Sequence, residues 1–375
     1  MKIKVAVWLH GGIGTGHFSQ GYPPLERLLQ ELSSNFELTV YSQSKIDPNF
    51  RSPFFMVRSP KTSTRLGAAR WLQLAFYLVR DHQSRKYDLL LSFWGYPAGW
   101  LLTCVSMIIK RPCVLFLLGA DSTGLPAINF GIFHRPIAGR LALWAYRRAS
   151  LLLAISEFQK GQLVQRGLQK EMSVVPWGVE KDFSKNNSRK RGPILHFIHV
   201  GHLTPVKDQL TLLKAFALIN KQHPAELRIL GADCMDGAIQ RASTELGLDG
   251  KVSFLDMVPY SEMSDQYAWA DIMLHTSLFE GQCMALTEAA ACRVLIAATN
   301  VGLAHDLGER AAIVVAVGDF EGLAAKVLAI LGDQKSWNEK VEAAKLWSEQ
   351  HDLSWTIGEI SSLLKRTVEV SRGSS

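Results

Sequence analysis

The stretch SLFEGQCMALTEA, Ser277–Ala289, carries two carboxylates, Glu280 and Glu288, with seven residues between them. A glycine followed by an alanine- and leucine-rich run reads as a turn entering a helix that starts near Cys283. The first amides of a helix lack intrahelical partners, so the N–H groups of Gly281–Ala285 can direct partial positive charge at an anion such as a diphosphate. Glu280 then lies in the loop before the helix and Glu288 about a turn and a half inside it. An ionised carboxylate accepts from two hydroxyls at once, so Glu288 suits a ribose diol and Glu280 a hexose hydroxyl. Acids near a helix start also stabilise the helix by roughly 0.3 to 1 kcal/mol with no ligand present, and spacing alone leaves both readings open.

Two further loops carry residue types suited to the same chemistry. In GHLTPVKDQLTLLKAF, from Gly201, Lys207 precedes an amphipathic helix, and its ammonium can neutralise charge on a departing phosphate. His202 can do so only when protonated or as a neutral hydrogen-bond donor. Each of these side chains is equally at home on a solvated surface. In HGGIGTGHFSQG, His10–Gly21, the glycines allow close backbone approach to an anion. No register of that loop gives the full Gly-x-Gly-x-x-Gly dinucleotide pattern, and no acid ends the second strand at Tyr41, which weakens a nicotinamide-dependent oxidoreductase reading. His17 can touch a substrate or serve only the loop.

Elements that could hold these loops recur along the chain. Short apolar runs rich in β-branched residues alternate with amphipathic stretches of helical length, the pattern of a parallel sheet covered on both faces. Strands are expected at Ile3–Trp8, Glu37–Tyr41, Tyr87–Phe93, Cys113–Leu118, Leu151–Ile155 and Met172–Val175, with helices such as Pro23–Leu32, Arg65–His82 and Arg135–Arg148 between them. Val179–Pro193 has neither periodicity and reads as an exposed connection. The alternation then restarts, with strands at Ile194–Val200, Glu226–Leu230, Val252–Leu255, Ile272–His275, Val294–Ala298 and Ile313–Val317. The expected architecture is α/β, with two doubly wound Rossmann-like domains, residues 1–180 and 194–353, facing a central cleft. A C-terminal helix and polar tail, 354–375, follow. Ligands of open α/β sheets bind beyond the carboxyl ends of the strands, so function belongs in the loops that follow strands.

A chain of 375 residues exceeds the size at which one core usually stops growing, in keeping with two domains. The apolar run in MKIKVAVWLHGG is very short and feeds straight into glycines, so it reads as a buried strand rather than a signal peptide. Ala98–Leu118 is broken by Lys110, Arg111 and Pro112, leaving neither half long enough to span a bilayer. Cys104, Cys113, Cys234, Cys283 and Cys292 are scattered without paired metal-ligand spacing, which favours free thiols in a reducing compartment. The net charge of +7 is concentrated in the first half: from Arg51 to Ser150, fourteen Lys and Arg face three acids, Asp81, Asp88 and Asp121. Such a surface attracts anionic partners or is simply a solvated basic face, and no nucleic-acid motif accompanies it.

Taken in order, these motifs resemble the GT-B glycosyltransferases, specifically the large retaining family known as group 1, most strongly from Val200 to Leu331. EGQCMALTEA stands where that family has a Glu-Gly-Phe-Gly run and its second glutamate, and GHLTPVKD fits its Gly-Arg-Leu-x-x-x-Lys segment. VVPWGVE, Val174–Glu180, is similar to its Pro-Asn-Gly-Val, LLGAD, Leu117–Asp121, to its His-Gly-x-Asp loop, and Gly11 with Gly12 to its N-terminal glycine pair. The resemblance implies transfer of a sugar from a nucleotide donor, UDP- or GDP-linked, to a glycan or lipid-linked acceptor hydroxyl.

Matched to the family, Lys207 binds the donor diphosphate, Glu288 the ribose and Glu280 the transferred sugar. Glu280 and Lys207 are the catalytic pair. Amides of Gly281, Gln282, Cys283 and Met284 complete the cradle with Gly12 and His202, and backbone near Val258 meets the base. His17, Gly119 and Asp121 fall on the acceptor side. No metal and no resident cofactor are implied. The setting implied is surface polysaccharide or glycolipid assembly in the cytoplasm, with peripheral attachment to the inner, anionic membrane face. The sequence departs from the family where its arginine is His202, its histidine before Gly119 is Leu118, and its phenylalanine and second glycine are Gln282 and Cys283. These changes keep a catalytically degenerate GT-B protein that binds a nucleotide or glycan as the alternative.

Overall fold

The computed structural model describes residues 2–11, 13–14, 22–44, 46–47, 50–59, 67–184 and 192–373. The chain divides into two compact units. The first comprises Met1–Ile155, Lys160–Pro176 and Trp355–Ser375, and the second Ser156–Gln159 and Trp177–Ser354.

In the first unit the chain runs β1 (Ile3–Leu9), α1 (Pro23–Asn35), β2 (Phe36–Ser42), β3 (Met56–Arg58), α2 (Gly67–Arg85), β4 (Leu89–Phe93), α3 (Trp100–Ile109), β5 (Cys113–Leu117), α4 (Pro136–Arg148), β6 (Leu151–Ala154), α5 (Glu157–Gln165) and β7 (Ser173–Val174). These strands form a parallel sheet in the order β3-β2-β1-β4-β5-β6-β7. The central strands are largely apolar because both faces are covered: Val5, Ala6, Val7 and Trp8 of β1 are all fully buried.

The second unit contains β8 (Leu195–Val200), α6 (Gln209–Asn220), β9 (Ala225–Leu230), α7 (Ala238–Glu245), β10 (Val252–Leu255), α8 (Met263–Trp269), β11 (Ile272–His275), α9 (Met284–Ala291), β12 (Leu295–Thr299), α10 (Gly302–Ala311), β13 (Ile313–Val315), α11 (Phe320–Leu331) and α12 (Gln334–Gln350). Its parallel sheet has the order β10-β9-β8-β11-β12-β13. Alternate residues feed opposite layers. Ile272 and Leu274 of β11 join Phe197, Leu212, Phe216, Leu323 and Val327 on one face, while Met273 joins Ile198, Leu286, Ala289 and Leu303 on the other. The winding direction reverses between β8 and β11, so the loops leaving their carboxyl ends flank the topological switch point of this sheet.

Three sequence expectations change. The three-residue β3 lies outside the expected strands. The connection expected to be exposed from Val179 onward begins buried, with Val179 4% exposed, because Trp177–Glu180 pack as part of the second unit. The terminal helix, α13 (Leu353–Gly373), joins the first unit from Trp355 onward. Ile360, Leu364 and Val368 form its buried stripe, Thr356 Oγ1 donates to Pro176 O at 2.8 Å, and Arg372 pairs with Asp88.

Candidate active site at the β8 and β11 strand ends

Two loops of the second unit close on each other at the switch point. Beyond Val200 the chain passes Gly201 and His202, makes a short 3-10 turn at Pro205–Lys207, and enters α6 at Asp208, whose carboxylate accepts from Thr211 N. Gly231, after β9, presses against this loop. A Cβ there would lie 2.4 Å from Gly201 O, and its φ of +140° is one that side chains resist, so only glycine fits. The loop beyond β11 is tied to the same segment: Thr276 Oγ1 donates to Asp208 O at 2.9 Å, and Leu278 N donates to Val206 O at 2.8 Å.

This zippering delivers Lys207 to Glu280. Lys207 Nζ lies 2.7 Å from Glu280 Oε1, which also accepts from Ser277 Oγ at 2.6 Å and lies 2.9 Å from His275 Nε2. Burial alone would raise the Glu280 pKa, but the Lys207 ammonium and the His275 ring outweigh it and hold the carboxyl well below the usual carboxylate range. Burial likewise opposes the charged form of Lys207, and Glu280 reverses that, leaving its pKa raised. His275 is fully buried. Burial works against its protonation, but Cys283, whose Sγ is 3.4 Å from Nε2, and Glu280 raise it to about 9. Its neighbour His199 stacks on it at 5.4 Å between ring centroids. Burial first, then the His275 charge, depress His199 to about 3. The site therefore holds an ionised carboxylate under two cations, beside a neutral imidazole.

His275 and Ser277 were not among the residues singled out in the sequence. A histidine ending an apolar strand carries no signal distinguishing it from core.

His202 lies on the neighbouring loop, exposed, with Nδ1 accepting from Ala232 N at 3.1 Å. A ring nitrogen that accepts carries no hydrogen, so the His202 hydrogen sits on Nε2 and the ring is a neutral donor in this arrangement. Gln209 Nε2 donates to His202 O at 3.1 Å and fixes the loop from beneath.

The helix expected near Cys283 is α9, with Cys283 at its N-cap in a left-handed conformation, φ +80°. Met284 and Ala285 thus lie in its first turn, where amides have no intrahelical acceptor. Gly281 is buried, and its carbonyl accepts from Ser156 Oγ. Gln282 does not present its side chain to a ligand. Its Oε1 accepts from Trp177 N at 2.7 Å, and its Nε2 donates to Trp177 O and Thr287 Oγ1, both at 2.8 Å. Standing where the family has phenylalanine, its side chain clamps Trp177.

Glu288 lies one face deeper, 5% exposed, with Tyr267 Oη 2.7 Å from its Oε2. Burial raises its pKa to about 7, partly offset by hydrogen bonds from Tyr267 and Tyr260. Val258 is half-buried on the loop after β10 and packs against the same core layer as Tyr260 and Tyr267.

Four further candidates belong to the first unit. Gly12 and His17 lie outside the described residues. Gly119, after β5, has φ −157° and ψ −124°, with open space at its α-carbon. Asp121 is buried, and its Oδ1 accepts from Gly95 N at 2.9 Å, while Tyr146 Oη donates to its carbonyl. Burial raises its pKa to about 6 against the opposing backbone amides of Gly95, Gly119, Tyr96 and Leu118. Through Oδ1 that carboxyl braces the turn beyond β4.

Comparison with known proteins fits this geometry. A sucrose-phosphate synthase from Thermosynechococcus elongatus superposes with a TM-score of 0.79 over 98% of this chain and 100% of its own, at 16% identity. The chain has the GT-B fold. Anabaena HepE, solved in complex with UDP and glucose, shares the GT-B fold with it at a TM-score of 0.76, 19% identity, and 97% and 99% coverage. Residues 195–333, just over a third of this GT-B chain, match the family model for glycosyl transferases group 1. A D-inositol 3-phosphate glycosyltransferase from Paenarthrobacter aurescens is 28% identical over 144 residues. That alignment spans 35% of this chain and 35% of the relative. Lys207, His275, Glu280 and Glu288 all fall within the matched stretch.

Proposed function

We propose that this chain is a retaining glycosyltransferase that moves a sugar from a nucleoside-diphosphate sugar to an acceptor hydroxyl. The observation that carries the reading is the meeting of Lys207 and Glu280 at 2.7 Å, at a sheet's switch point and inside the group 1 match. As the bond from sugar to diphosphate loosens, negative charge grows on the departing phosphate and positive charge on the ring. The Lys207 ammonium and the first-turn amides of α9 suit the former, with no metal ion assigned a role. Glu280 suits the latter. Its three contacts all converge on Oε1, leaving Oε2 for sugar hydroxyls.

A carboxylate held so firmly ionised cannot donate a proton, and three donors on one oxygen blunt it as a nucleophile. In this reading Glu280 orients the sugar and stabilises its charge, while a phosphate oxygen of the leaving group takes the acceptor proton on the same face. The Glu288 carboxyl would meet the ribose, the Val258 backbone the base, and the amides of Gly281, Gln282, Cys283 and Met284 the phosphates. UDP-glucose is the first donor to test, since HepE was solved with UDP and glucose; GDP-linked sugars come next.

The acceptor is read as a glycan or lipid-linked hydroxyl at the cytoplasmic membrane face, in polysaccharide or glycolipid synthesis. Supporting this, Leu72, Phe76 and Arg80 form one exposed stripe along α2, 65% and 62% exposed at the two apolar positions. Among the described residues no helix is long and apolar enough to cross a membrane. Sedimentation with anionic vesicles should weaken as salt rises, and salt-independent binding would remove the electrostatic part of this reading.

The neutral donor form of His202 favours a second reading, a GT-B protein that binds a nucleotide sugar without turning it over. One experiment separates the two: incubation with UDP- and GDP-sugars in chelator, assayed for free sugar and for thermal stabilisation. Stabilisation with sugar release supports the enzyme. Stabilisation without release supports the binder, and neither effect with any donor sinks both.

A further inference from the structure

Beneath the proposed sugar pocket, three side chains of different chemistry converge: His275 at the end of β11, Glu280 in the loop, and Cys283 at the N-cap of α9. Their ligand atoms, Nε2, Oε1 and Sγ, lie within 4.8 Å of one another. Sγ is 3.4 Å and Oε1 2.9 Å from Nε2. A tetrahedral ion with bonds of about 2.3 Å to sulfur and about 2.0 to 2.1 Å to nitrogen and oxygen needs ligand atoms roughly 3.2 to 3.6 Å apart. Small side-chain rotations suffice to reach that spacing. The other nitrogen of His275, Nδ1, is buried and has no hydrogen-bond partner among the described residues, so every polar contact of the ring is made through Nε2.

We propose that His275, Glu280 and Cys283 form a binding site for a borderline-soft divalent cation, zinc in particular. A thiolate, an imidazole and one carboxylate oxygen select against magnesium and calcium, which take oxygen ligands, and three protein ligands leave a fourth position open. Binding releases the Cys283 thiol proton and the His275 Nε2 proton to solvent, and the remaining ring hydrogen stays on Nδ1. On Oε1 the ion replaces the Lys207 ammonium and the Ser277 hydroxyl. The site stands on these side chains alone; its consequence, that zinc blocks sugar transfer by taking Glu280, rests on the reading in the preceding subsection.

The test is titration of the full chain with cobalt(II) under a non-chelating reductant, followed by displacement with zinc. Wild type should develop an intense near-ultraviolet thiolate-to-cobalt band with tetrahedral visible absorption, lost when zinc is added. Cys283→Ser should lose the band and bind zinc at least tenfold more weakly, with its melting curve checked for an intact fold. Cys234→Ser, which removes an exposed cysteine, should keep the band. Lys207→Ala should bind zinc at least threefold more tightly, because the ammonium competing for Oε1 is gone. No thiolate band in wild type, a band that survives Cys283→Ser, or unchanged zinc affinity in Lys207→Ala would overturn the site. Cobalt binding in a chain that transfers no sugar would leave the site standing and refute the transferase reading. Transfer undiminished by saturating zinc would refute only the coupling.

Discussion

Tyr267 lies with its phenol oxygen 2.7 Å from Glu288 Oε2 and 3.2 Å from Ala285 O. The phenol has one hydrogen and, beside an ionised Glu288, two acceptors to serve. A protonated Glu288 can donate to the phenol, freeing its hydrogen for Ala285 O, so the neutral acid satisfies all three groups. Burial pushes that carboxyl up to about 7 from an ordinary 4.5, against the opposing hydrogen bonds from Tyr267 and Tyr260.

The sign of the consequence follows. A folded-state pKa above the unfolded value means that the folded chain binds the extra proton between the two. The stabilisation is complete below about 4.5 and is lost as pH rises through about 7, a change on the order of 3 kcal/mol. Glu288→Gln cannot ionise, so its stability relative to wild type should rise by about that amount between pH 4.5 and 8. Urea unfolding of both proteins across that range measures it, and a pH-independent difference would refute the assignment. The same variant should bind UDP more weakly by calorimetry if the carboxylate meets a ribose.

Lys207→Ala removes one charge-assisted hydrogen bond to Glu280 and the fixed cation proposed for the diphosphate. A loss of about 1.5 to 3 kcal/mol at the transition state slows turnover by roughly tenfold to beyond a hundredfold. Steady-state kinetics with the working nucleotide sugar gives the value, with circular dichroism to confirm the fold. A near-normal kcat would remove Lys207 from the chemistry.

Much of this arrangement was legible before the structure. Alternation of apolar strands and helices placed all six strands of the second sheet, most clearly where strands such as β11 and β12 are buried on both faces and read as continuous apolar runs. It overlooked β3, whose three residues, Met56–Arg58, form a short, partly exposed strand at the edge of the first sheet. It left α13 unplaced because the contacts that dock it, such as Thr356 with Pro176, bridge 180 residues. In the site, loop position identified Lys207 and Glu280, but the partners that tune them were hidden. His275 looks like the last residue of a core strand until its Nε2 is seen 2.9 Å from Glu280. Nothing in the local sequence shows that both ends of the Gln282 side-chain amide meet Trp177, 105 residues away.

That clamp has a measurable value. Gln282→Ala removes two hydrogen bonds to the buried Trp177 backbone, where a buried group left unsatisfied costs about 1 to 3 kcal/mol. We expect a loss of about 2 to 4 kcal/mol in denaturant unfolding. A change under about 1 kcal/mol would show that water replaces the amide freely.

Gly302 opens α10 at φ +54°, where a Cβ would lie 2.7 Å from both Glu280 Cβ and Gln282 O. Gly302→Ala should displace the loop that carries Glu280. A strained left-handed residue and the clash together cost about 1 to 3 kcal/mol, and misplacement by an ångström costs about a hundredfold in rate. The expected outcome is a kcat lowered far more than the modest drop in melting temperature predicts. Parallel losses of activity and stability would mean that only folding is affected.

His202 tests whether the departure from the family's arginine matters. While Nδ1 accepts from Ala232 N–H, the ring offers a diphosphate one neutral Nε2–H donor, and becoming a cation means surrendering that backbone contact. An arginine brings a permanent charge and a forked donor, and charge-assisted hydrogen bonds are roughly twice as strong as neutral ones. Ala232 N would lose its acceptor but lies near solvent, so the loss is small beside the gain. His202→Arg should therefore tighten UDP binding by about three- to tenfold, and the gain should shrink as salt is raised, since a newly added charge is screened where a neutral donor is not. Calorimetry at low and high salt reads both effects. Unchanged affinity would place His202 away from the phosphates, and a gain indifferent to salt would show that the arginine acts through packing.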